Sequence, residues 1–425
     1  MTEQAKVPAI RFAGFADPWE QRKLGDVASS FDYGLNAAAT EYDGQNKYLR
    51  ITDIDDETHE FSKSDLTTPL ADLAMSADYL LKEGDLLFAR TGASVGKTYL
   101  YRQFDGMVYF AGFLIRARIG EGADPEFAYQ ATLTDAYKKY VAITSQRSGQ
   151  PGVNAQEYAD YQLMLPSKTE QQQIGMTLRS LDDLITLHQR KYDKLVILKK
   201  SMLEKMFPKD GESVPEIRFA GFTDPWEQRK FGDCFEFLKS NTLSRAGLNG
   251  ENGTARNVHY GDILIKFGDC LDGERSDLPF ITDDTVLPKF AGSILREGDV
   301  IFADTAEDEA AGKCVELRKL PKEPTISGLH TIPARPRFFF GTGYLGHYLN
   351  SDAYHRQLLP LMQGIKVISV SKAALQDTQV RFPGLSEQAA IGAALSEIDN
   401  LITLHQRKLE LLQNIKKSLL DKMFV

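Results

Sequence analysis

The sequence predicts an α+β protein in which two mixed α/β domains are joined by two long helices, which form an antiparallel coiled coil with pseudo-two-fold symmetry. Three observations support this fold class. The 425-residue chain is internally duplicated, each copy ends in a long heptad pattern, and the middle of each copy alternates between short strand and helix patterns. We assign residues 1–169 to the first domain, 170–208 to the first spacer helix, 209–386 to the second domain and 387–425 to the second spacer helix.

The duplication is nearly letter for letter at the ends of each copy. The segment Val7–Asp26 returns as Val214–Asp233, including both tryptophans of the chain, and LITLHQRK at Leu184–Lys191 returns at Leu401–Lys408. The regions between these segments share only scattered landmarks. Each copy therefore consists of a nearly identical frame and a divergent insert. This arrangement is expected when the frame serves assembly and the inserts distinguish between targets.

Composition limits the class of protein. The chain is 42% hydrophobic and 26% charged, and it contains neither a bilayer-spanning apolar run nor a signal-peptide pattern, so we expect a soluble cytoplasmic protein. Its three cysteines, Cys234, Cys270 and Cys314, form no close pair and are interpreted as structural thiols. The net charge of −9 counts mildly against nucleic acid. Because exposed charges are screened beyond about 10 Å at 0.1 M salt, local clusters of Lys and Arg matter more than the total.

Each copy ends in a helix with an uninterrupted 4,3 spacing of apolar positions. Ten seam positions from Ile174 onward, matched from Ile391 onward, indicate a coiled coil, and each helix would be roughly 57 Å long. Polar residues break the seam at His188 and Lys199 in the first copy, and at equivalent positions in the second copy. We interpret these polar residues as fixing the register of the paired helices.

Additional leucines widen the apolar stripe beyond the seam of a two-helix coil. We predict that these leucines dock other subunits: Leu184, Leu187, Leu401 and Leu404. Because the first helix leads into the second domain and the second helix ends the chain, the helices should run antiparallel and act as a ruler between two domains.

The inserts carry alternating strand and helix patterns in the same order. Strands are predicted at Lys47–Ile54, Gly84–Arg90 and Lys97–Phe104 in the first insert, and at Gly261–Asp269 and Gly298–Thr305 in the second. A helix is predicted at Pro125–Ser145 in the first insert and over Gly343–Met362 in the second.

The segment TGASVGKT at Thr91–Thr98 is similar to a phosphate-binding P-loop but departs from it. Only three residues separate Gly92 from Gly96 where four are required, and Lys97 is followed by a strand pattern instead of a helix. The sequence therefore argues against a nucleotide cradle.

A loop that presents polar side chains to a DNA groove explains the same segment better. Arginine can bond guanine bidentately, hydroxyl groups can bind phosphates, and aspartate can accept from the cytosine amino group. The candidates in the first domain are Arg90, Thr91, Ser94 and Lys97, and those at the equivalent place in the second domain are Asp304 and Thr305. The alternative is that these residues are solvated loop positions without a ligand.

A polar turn that follows the helical pattern in each insert supplies further candidates for phosphate contacts. They are Arg147, Ser148, Gln150 and Asn154 in the first copy, and Lys366, Ser369, Ser371 and Lys372 in the second. A plain turn remains the alternative. Three cations complete the predicted DNA-binding set: Arg50, Lys266 and Lys313.

The order of these motifs resembles the specificity subunit of type I restriction-modification systems over essentially the whole chain. Each copy combines the DPWEQRK segment, a polar turn, a short strand that ends in proline (Leu163–Pro166 and Val380–Pro383), and a helix headed by Glu-Gln (from Glu170 and from Glu387).

The resemblance implies two target-recognition domains, each of which reads one half of a split duplex DNA site. A spacer helix of roughly 57 Å, compared with about 34 to 36 Å per turn of DNA, predicts an unread gap of the order of one turn between the half-sites. The resemblance also implies a subunit without catalytic activity, metal or cofactor of its own, in a bacterial cytoplasm. Such a subunit assembles with two methylation subunits that bind S-adenosylmethionine, and with restriction subunits that use ATP. In agreement, the chain has no Asn-Pro-Pro-aromatic methyltransferase motif.

Two other classes of protein compete with this interpretation. A self-contained nucleotide-dependent enzyme should carry one set of catalytic residues that cannot be replaced. The polar loops of the two copies instead differ from each other. A coiled-coil scaffold without nucleic-acid binding gives no reason for two divergent, loop-rich domains. Retention on heparin or DNA that falls steeply with salt distinguishes the DNA-binding subunit from the scaffold.

Overall fold

The computed structural model describes residues 7–147, 149–274 and 277–425, without the side chains of residues 284 and 286. The chain forms two compact units. Unit 1 comprises Met1–Arg190 and Gln406–Val425, and unit 2 comprises Lys191–His405. Each long helix therefore contributes one part to each unit.

Unit 1 is built on an antiparallel four-stranded sheet of order β2-β9-β6-β7, with three two-stranded sheets beside it. Its strands are β1 Glu20–Lys23, β2 Ala28–Tyr33, β3 Ala39–Glu41, β4 Lys47–Leu49, β5 Thr67–Pro69, β6 Asp85–Ala89, β7 Thr98–Leu100, β8 Val108–Phe110, β9 Leu114–Ile119 and β10 Gln162–Leu165. Its helices are α1 Leu24–Val27, α2 Pro125–Ala131, α3 Asp135–Thr144, α4 Ala155–Ala159 and the first part of α5 Lys168–Lys205.

Unit 2 has a five-stranded sheet of order β12-β21-β17-β19-β15 and a four-stranded sheet of order β13-β16-β14-β20. Its strands are β11 Glu227–Lys230, β12 Phe235–Phe237, β13 Leu248–Asn249, β14 Arg256–Val258, β15 Cys270–Asp272, β16 Phe280–Ile281, β17 Val300–Ala303, β18 Thr305–Ala306, β19 Cys314–Arg318, β20 Thr325–Ser327, β21 Thr331–Pro336, β22 Ile368–Ser369 and β23 Gln379–Phe382. Its helices are α6 Phe231–Cys234, α7 Tyr260–Ile265, α8 Tyr344–Asn350, α9 Asp352–His355, α10 Lys372–Asp377 and most of α11 Leu385–Met423.

The repeated tryptophans fill the cores of the two units. Trp19 is buried in unit 1, where its ring centroid lies 5.8 Å from that of Phe127 and 6.4 Å from that of Phe424. Trp226 is buried in unit 2 against Phe207, at 6.3 Å. The indole Nε1 of each tryptophan has no hydrogen-bond partner among the described residues. The tryptophans therefore stabilise the cores through the volume of their rings and not through the polar N–H group.

A buried ion pair explains the glutamate that heads each long helix. Arg11 donates to both carboxylate oxygens of Glu170 at 2.6 and 2.8 Å, and Arg218 donates to Glu387 at 2.6 and 2.7 Å. Both glutamates are almost fully buried. The bidentate geometry compensates for their desolvation, and it ties the repeated Trp-bearing segment to the start of the helix.

The long helices pair antiparallel within each unit, which confirms the predicted combination of two mixed α/β domains with paired helices. In unit 1, Lys416 Nζ lies 2.5 Å from Asp182 Oδ1, while Met423 joins the core that contains Leu178. In unit 2, Lys199 Nζ lies 2.6 Å from Asp399 Oδ1. The predicted polar seam lysines are therefore neutralised by aspartates of the opposite helix. None of the described helices has an apolar stretch that could span a bilayer.

Four predicted elements differ from the structure, three of them as follows. The single helix predicted at Pro125–Ser145 is two helices, because the Thr134 hydroxyl accepts from the amide of Tyr137 and starts α3. The strand predicted at Gly261–Asp269 is mostly wrong, since helix α7 occupies Tyr260–Ile265. The strand predicted from Lys47 ends at Leu49, and a 3₁₀ turn begins at Ile51.

The helix predicted over Gly343–Met362 is also divided. Helices α8 and α9 are separated at Ser351, whose backbone is extended, and only a 3₁₀ turn at Leu359–Leu361 follows. Local hydrophobic periodicity could not reveal this extended residue.

Candidate nucleic-acid interface

In unit 1 the candidate surface begins where β6 ends. Ala89 pairs with Leu114, and the next residue, Arg90, donates its amide to the carbonyl oxygen of Phe113 at 3.1 Å. The guanidinium carbon of Arg90 lies 5.1 Å from the ring centroid of Tyr33 and 5.9 Å from that of Phe113. Both rings are exposed. Among the described residues no carboxylate pairs with Arg90, and its buried Nε has no hydrogen-bond partner, so aromatic contacts hold the cation.

The structure joins the two polar segments predicted in unit 1. Thr91 pairs with Gly152 in an antiparallel bridge, and the amide of Gly92 donates to the carbonyl oxygen of Pro151 at 3.0 Å. Gly92 has φ +73°, and a Cβ there would lie 3.0 Å from Gln150 Nε2. The loop after β6 and the turn before α4 therefore form one surface, and this surface requires a glycine.

In unit 2 the equivalent surface begins where β17 ends. The amide of Asp304 donates to the carbonyl oxygen of His330 at 3.0 Å, and the amide of Val370 donates to the carbonyl oxygen of Asp304 at 2.8 Å. Thr305 pairs with Ser369 in β18·β22. The Asp304 carboxylate accepts from the Thr305 hydroxyl at 2.7 Å and lies 3.4 Å from His330 Nδ1. The two predicted segments of this unit are thus also adjacent.

Two predicted lysines point into their units instead of into a groove. Lys97 Nζ donates to the backbone oxygen of Ile54 at 2.9 Å and lies 2.5 Å from Asp56 Oδ1. Lys313 Nζ donates to the backbone oxygen of Leu264 at 3.1 Å, and burial lowers the pKa of this lysine. Their contacts with DNA stay predictions that require these side chains to be released. Because β7 starts directly after Lys97, a P-loop geometry is not formed.

Most of the other predicted contacts are also engaged inside their units. Four cations have internal partners: Arg50 with Asp53, Arg147 with Glu157, Lys266 with Asp262, and Lys372 with the backbone oxygen of Leu238. The hydrogen bond with Asp53 raises the pKa of Arg50. Asn154 and Ser371 cap the N-termini of α4 and α10, and Ser94 ends a 3₁₀ turn.

Lys366 and Ser148 complete the predicted set. Lys366 is exposed in the turn between Gln363 and Ser369, and no ion pair involves it among the residues that the structure describes. Ser148 lies outside the described residues. The surfaces that the structure assembles are therefore Arg90, Thr91 and Gln150 in unit 1, and Asp304, Thr305 and Ser369 in unit 2.

The sequence interpretation missed three rings beside these surfaces. Tyr33 ends β2, Phe113 directly precedes β9, and His330 directly precedes β21. An aromatic residue after the glycine of a turn, as in Gly112-Phe113, is the only local signal. Their proximity to Arg90 and Asp304 depends on strand pairing between distant segments.

The predicted docking leucines are partly or largely solvent-accessible. In unit 1, Leu184 is 43% and Leu187 46% exposed. In unit 2, Leu404 is 45% exposed, whereas Leu401 is half-buried. Leucine side chains of this exposure on a helix are available for contact with another protein.

Unit 2 also contains a buried cluster with the composition of a metal site. The ligand atoms of Asp269, His347 and Asp399 lie within 4.8 Å of one another. However, Lys199 Nζ lies 2.7 Å from Asp269 and 2.6 Å from Asp399, so an ammonium group already pairs with both carboxylates. Burial acts to raise the pKa of Asp269, but the hydrogen bond with His347 and the charge of Lys199 outweigh it and hold this pKa at about 2.

Comparisons with known proteins converge on one family. Residues 16–196 match the model of the type I restriction modification DNA specificity domain. The type I restriction enzyme MjaVIII specificity subunit of Methanocaldococcus jannaschii is 21% identical over 95% of this chain and 92% of its own length. The putative MjaX specificity subunit of the same organism is 22% identical with the same coverage.

A solved structure has the same fold over nearly the full length. It is the S subunit of a type I restriction-modification system from M. genitalium, with a TM-score of 0.59, 12% identity and 99% coverage of both chains. These similarities point to the same family as the sequence motifs.

Proposed function

We propose that this chain, a member of the type I restriction-modification specificity-subunit family, reads a bipartite site in duplex DNA, with one half-site contacted by each unit. Specificity subunits are non-catalytic targeting subunits, so the chemistry belongs to partners. The observation that carries the proposal is the matched pair of strand-end surfaces, which share their backbone hydrogen bonds but present Arg90 in unit 1 and Asp304 in unit 2.

The side chains at these strand ends suit different bases. The Arg90 guanidinium contacts two rings and pairs with no carboxylate among the described residues, so it can donate to N7 and O6 of guanine in the major groove. A carboxylate at the same place can accept from the amino group of cytosine. We propose that Thr91, in the bridge with Gly152, and the exposed Lys366 contact phosphates. Phosphate contacts position the protein without adding sequence information.

Because the chain is acidic, with a net charge of −9, we infer that partner subunits supply much of the phosphate contact. By analogy with the family, these partners are two methylation subunits that bind S-adenosylmethionine and restriction subunits that use ATP. The exposed leucines of the long helices are the proposed docking residues for the methylation subunits. This work on DNA would take place in the cytoplasm.

Replacing Arg90 with alanine should remove the base preference at one position of the half-site read by unit 1. The expected loss is about 1–3 kcal/mol of discrimination, the worth of one bidentate contact. It can be measured by selecting bound duplexes from a randomised library, with the chain in complex with its methylation subunits.

The matched control for this experiment is Arg90→Lys, which keeps the charge but cannot form the planar bidentate contact. It should bind DNA with similar salt dependence and still lose the base preference. If Arg90→Ala weakens binding to every DNA sequence equally, Arg90 is instead a phosphate contact. Retention on DNA that does not respond to salt, for the wild-type complex, would favour the scaffold alternative.

Replacing Leu187 with glutamate should reduce co-purification of the methylation subunit by more than about tenfold, because a carboxylate would be buried without a partner in an apolar contact. Gln172→Glu is the control, since it adds the same charge at an exposed polar position of the same helix. Circular dichroism should show unchanged helicity in both variants. Normal assembly of Leu187→Glu would exclude this leucine from the docking surface.

A further inference from the structure

One additional residue in each unit occupies the same position opposite the proposed reading residue. In unit 1, Ala89 pairs with Leu114, and in unit 2, Ala303 pairs with Thr331. The residue that precedes each partner strand, Phe113 or His330, accepts a backbone hydrogen bond from Arg90 or Asp304, at 3.1 and 3.0 Å. The strand register therefore makes Phe113 and His330 structural equivalents.

The side chain at this position matches the charge beside it. Phe113 offers an aromatic ring to the Arg90 guanidinium at 5.9 Å, and the negative face of a ring attracts a cation. His330 places Nδ1 at 3.4 Å from the Asp304 carboxylate, and an imidazole N–H can donate to a carboxylate. The equivalent position therefore holds an aromatic ring beside Arg90 in unit 1 and an imidazole beside Asp304 in unit 2.

The backbone of His330 strengthens this interpretation. Its φ is +53°, in the left-handed region that is uncommon for residues other than glycine. Such a conformation persists where surrounding contacts impose it, and it occurs preferentially at functional sites. The ring of His330 is fixed between Asp304 and Tyr260, whose ring centroid is 5.3 Å away in an edge-to-face arrangement.

We propose that Phe113 and His330 are specificity-determining positioning residues, each of which orients the neighbouring side chain toward a base of its half-site. The inference rests on the proposed DNA-reading function and extends it to residues that need not touch the base. A long side chain that is already held in one orientation loses less conformational freedom on binding. Binding to the correct base, which matches that orientation, is therefore strengthened more than binding to an incorrect base. Support and reading residue should therefore act as a coupled pair.

The first test replaces Phe113 with alanine and measures base preference by selection from a randomised duplex library, in complex with the methylation subunits. We expect preference at the position read by Arg90 to fall by about threefold to thirtyfold, the range of a cation–aromatic contact. Affinity for unrelated duplexes should not change. Phe113→Tyr should restore the preference, and Phe113→Ala should add little to the effect of Arg90→Ala, since the two residues act together.

Phe104→Ala provides a matched control. Phe104 is an exposed aromatic residue of the same unit with its own cation, Lys63, at 5.6 Å from the ring centroid. Its replacement removes a cation–aromatic contact that does not involve Arg90 and should leave the base preference at the position read by Arg90 unchanged.

Unit 2 is tested with His330→Ala and His330→Asn. Asparagine tolerates the left-handed backbone and can donate a hydrogen bond to Asp304, so it should keep the base preference that alanine loses. Only the half-site read by unit 2 should change. The inference would be overturned if Phe113→Ala or His330→Ala weakened binding to all DNA sequences equally, and if Phe113→Tyr and His330→Asn did not restore the base preference.

Exchanging the pair gives the strongest test. The double variant Arg90→Asp with Phe113→His should acquire a new base preference at the position read by unit 1, whereas Arg90→Asp alone should have little preference there. Identical behaviour of the single and double variants would contradict coupling. If the wild-type complex itself prefers no sequence, the proposed function fails, a result distinct from failure of the pair.

Discussion

Replacing Trp19 with alanine should lower the free energy of unfolding of unit 1 by about 3–5 kcal/mol, the usual cost of removing a large buried ring. Trp19 is 4% exposed and contacts the rings of Phe127 and Phe424 in the core shared by the sheet, α2 and the end of α11. Loss of this ring leaves a cavity at the junction of three elements. The base preference of unit 1 should be lost together with its stability.

The conservative variant Trp19→Phe separates ring packing from hydrogen bonding. Because Nε1 has no partner among the described residues, phenylalanine strands no acceptor and should cost much less than alanine. Stability can be measured by urea dependence of amide hydrogen exchange in β6 and β9, which form the centre of the unit 1 sheet. Equal costs for Phe and Ala would indicate that the N–H group matters after all.

Replacing Lys199 with methionine should destabilise unit 2 by about 3 kcal/mol, because removing one partner of a buried ion pair leaves charge without compensation. Asp269 and Asp399 would retain only the His347 imidazole beside them, with Nδ1 at 2.9 and 3.9 Å from their carboxylate oxygens. The estimate is at the lower end for buried pairs because the Asp399 side chain is 30% exposed.

This effect should depend on pH in a defined direction. The folded-state pKa of Asp269 is held at about 2, below the value of about 3.9 for an unperturbed aspartate. A carboxylate with a lowered pKa contributes stability that is present above pH about 4 and is lost as the pH falls toward 2. The difference between wild type and Lys199→Met should therefore be largest near pH 7 and shrink below about pH 4.

Tryptophan fluorescence provides the measurement for Lys199→Met. In a Trp19→Phe background, Trp226 is the only tryptophan, and it lies in unit 2. The control Lys200→Met changes the adjacent exposed lysine in the same way and should shift the urea midpoint little. A small, pH-independent effect of Lys199→Met would show that the cluster does not stabilise this unit.

Several features of the fold could be predicted from the sequence because they depend on local or repeated patterns. The two long helices follow from an apolar spacing sustained over their whole length. The strand at β6 and the apolar strands before each helix follow from short runs bounded by turn residues, and the duplication transfers each assignment to the second copy. The heptad spacing also placed Lys199 on the seam, but it did not reveal that the ammonium group pairs with Asp269 and Asp399 instead of extending to water.

The candidate site was only partly predictable. The sequence identified Arg90 and Asp304 at equivalent strand ends, but it assigned Lys97 and Lys313 to the same surface, whereas both bind backbone oxygens inside their units. The direction of a lysine in a loop depends on which distant carbonyl groups surround it. No local pattern contains that information.

What the sequence alone determined is the duplicated frame, the paired helices and the resemblance to one family, since each depends on order and periodicity along the chain. What only the tertiary structure decided is which side chains stand beside the reading residues. Arg90 meets Phe113, and Asp304 meets His330, because antiparallel strand register brings together residues more than twenty positions apart. That register is set by the burial of whole sheet faces, a property of the folded unit and not of any short segment.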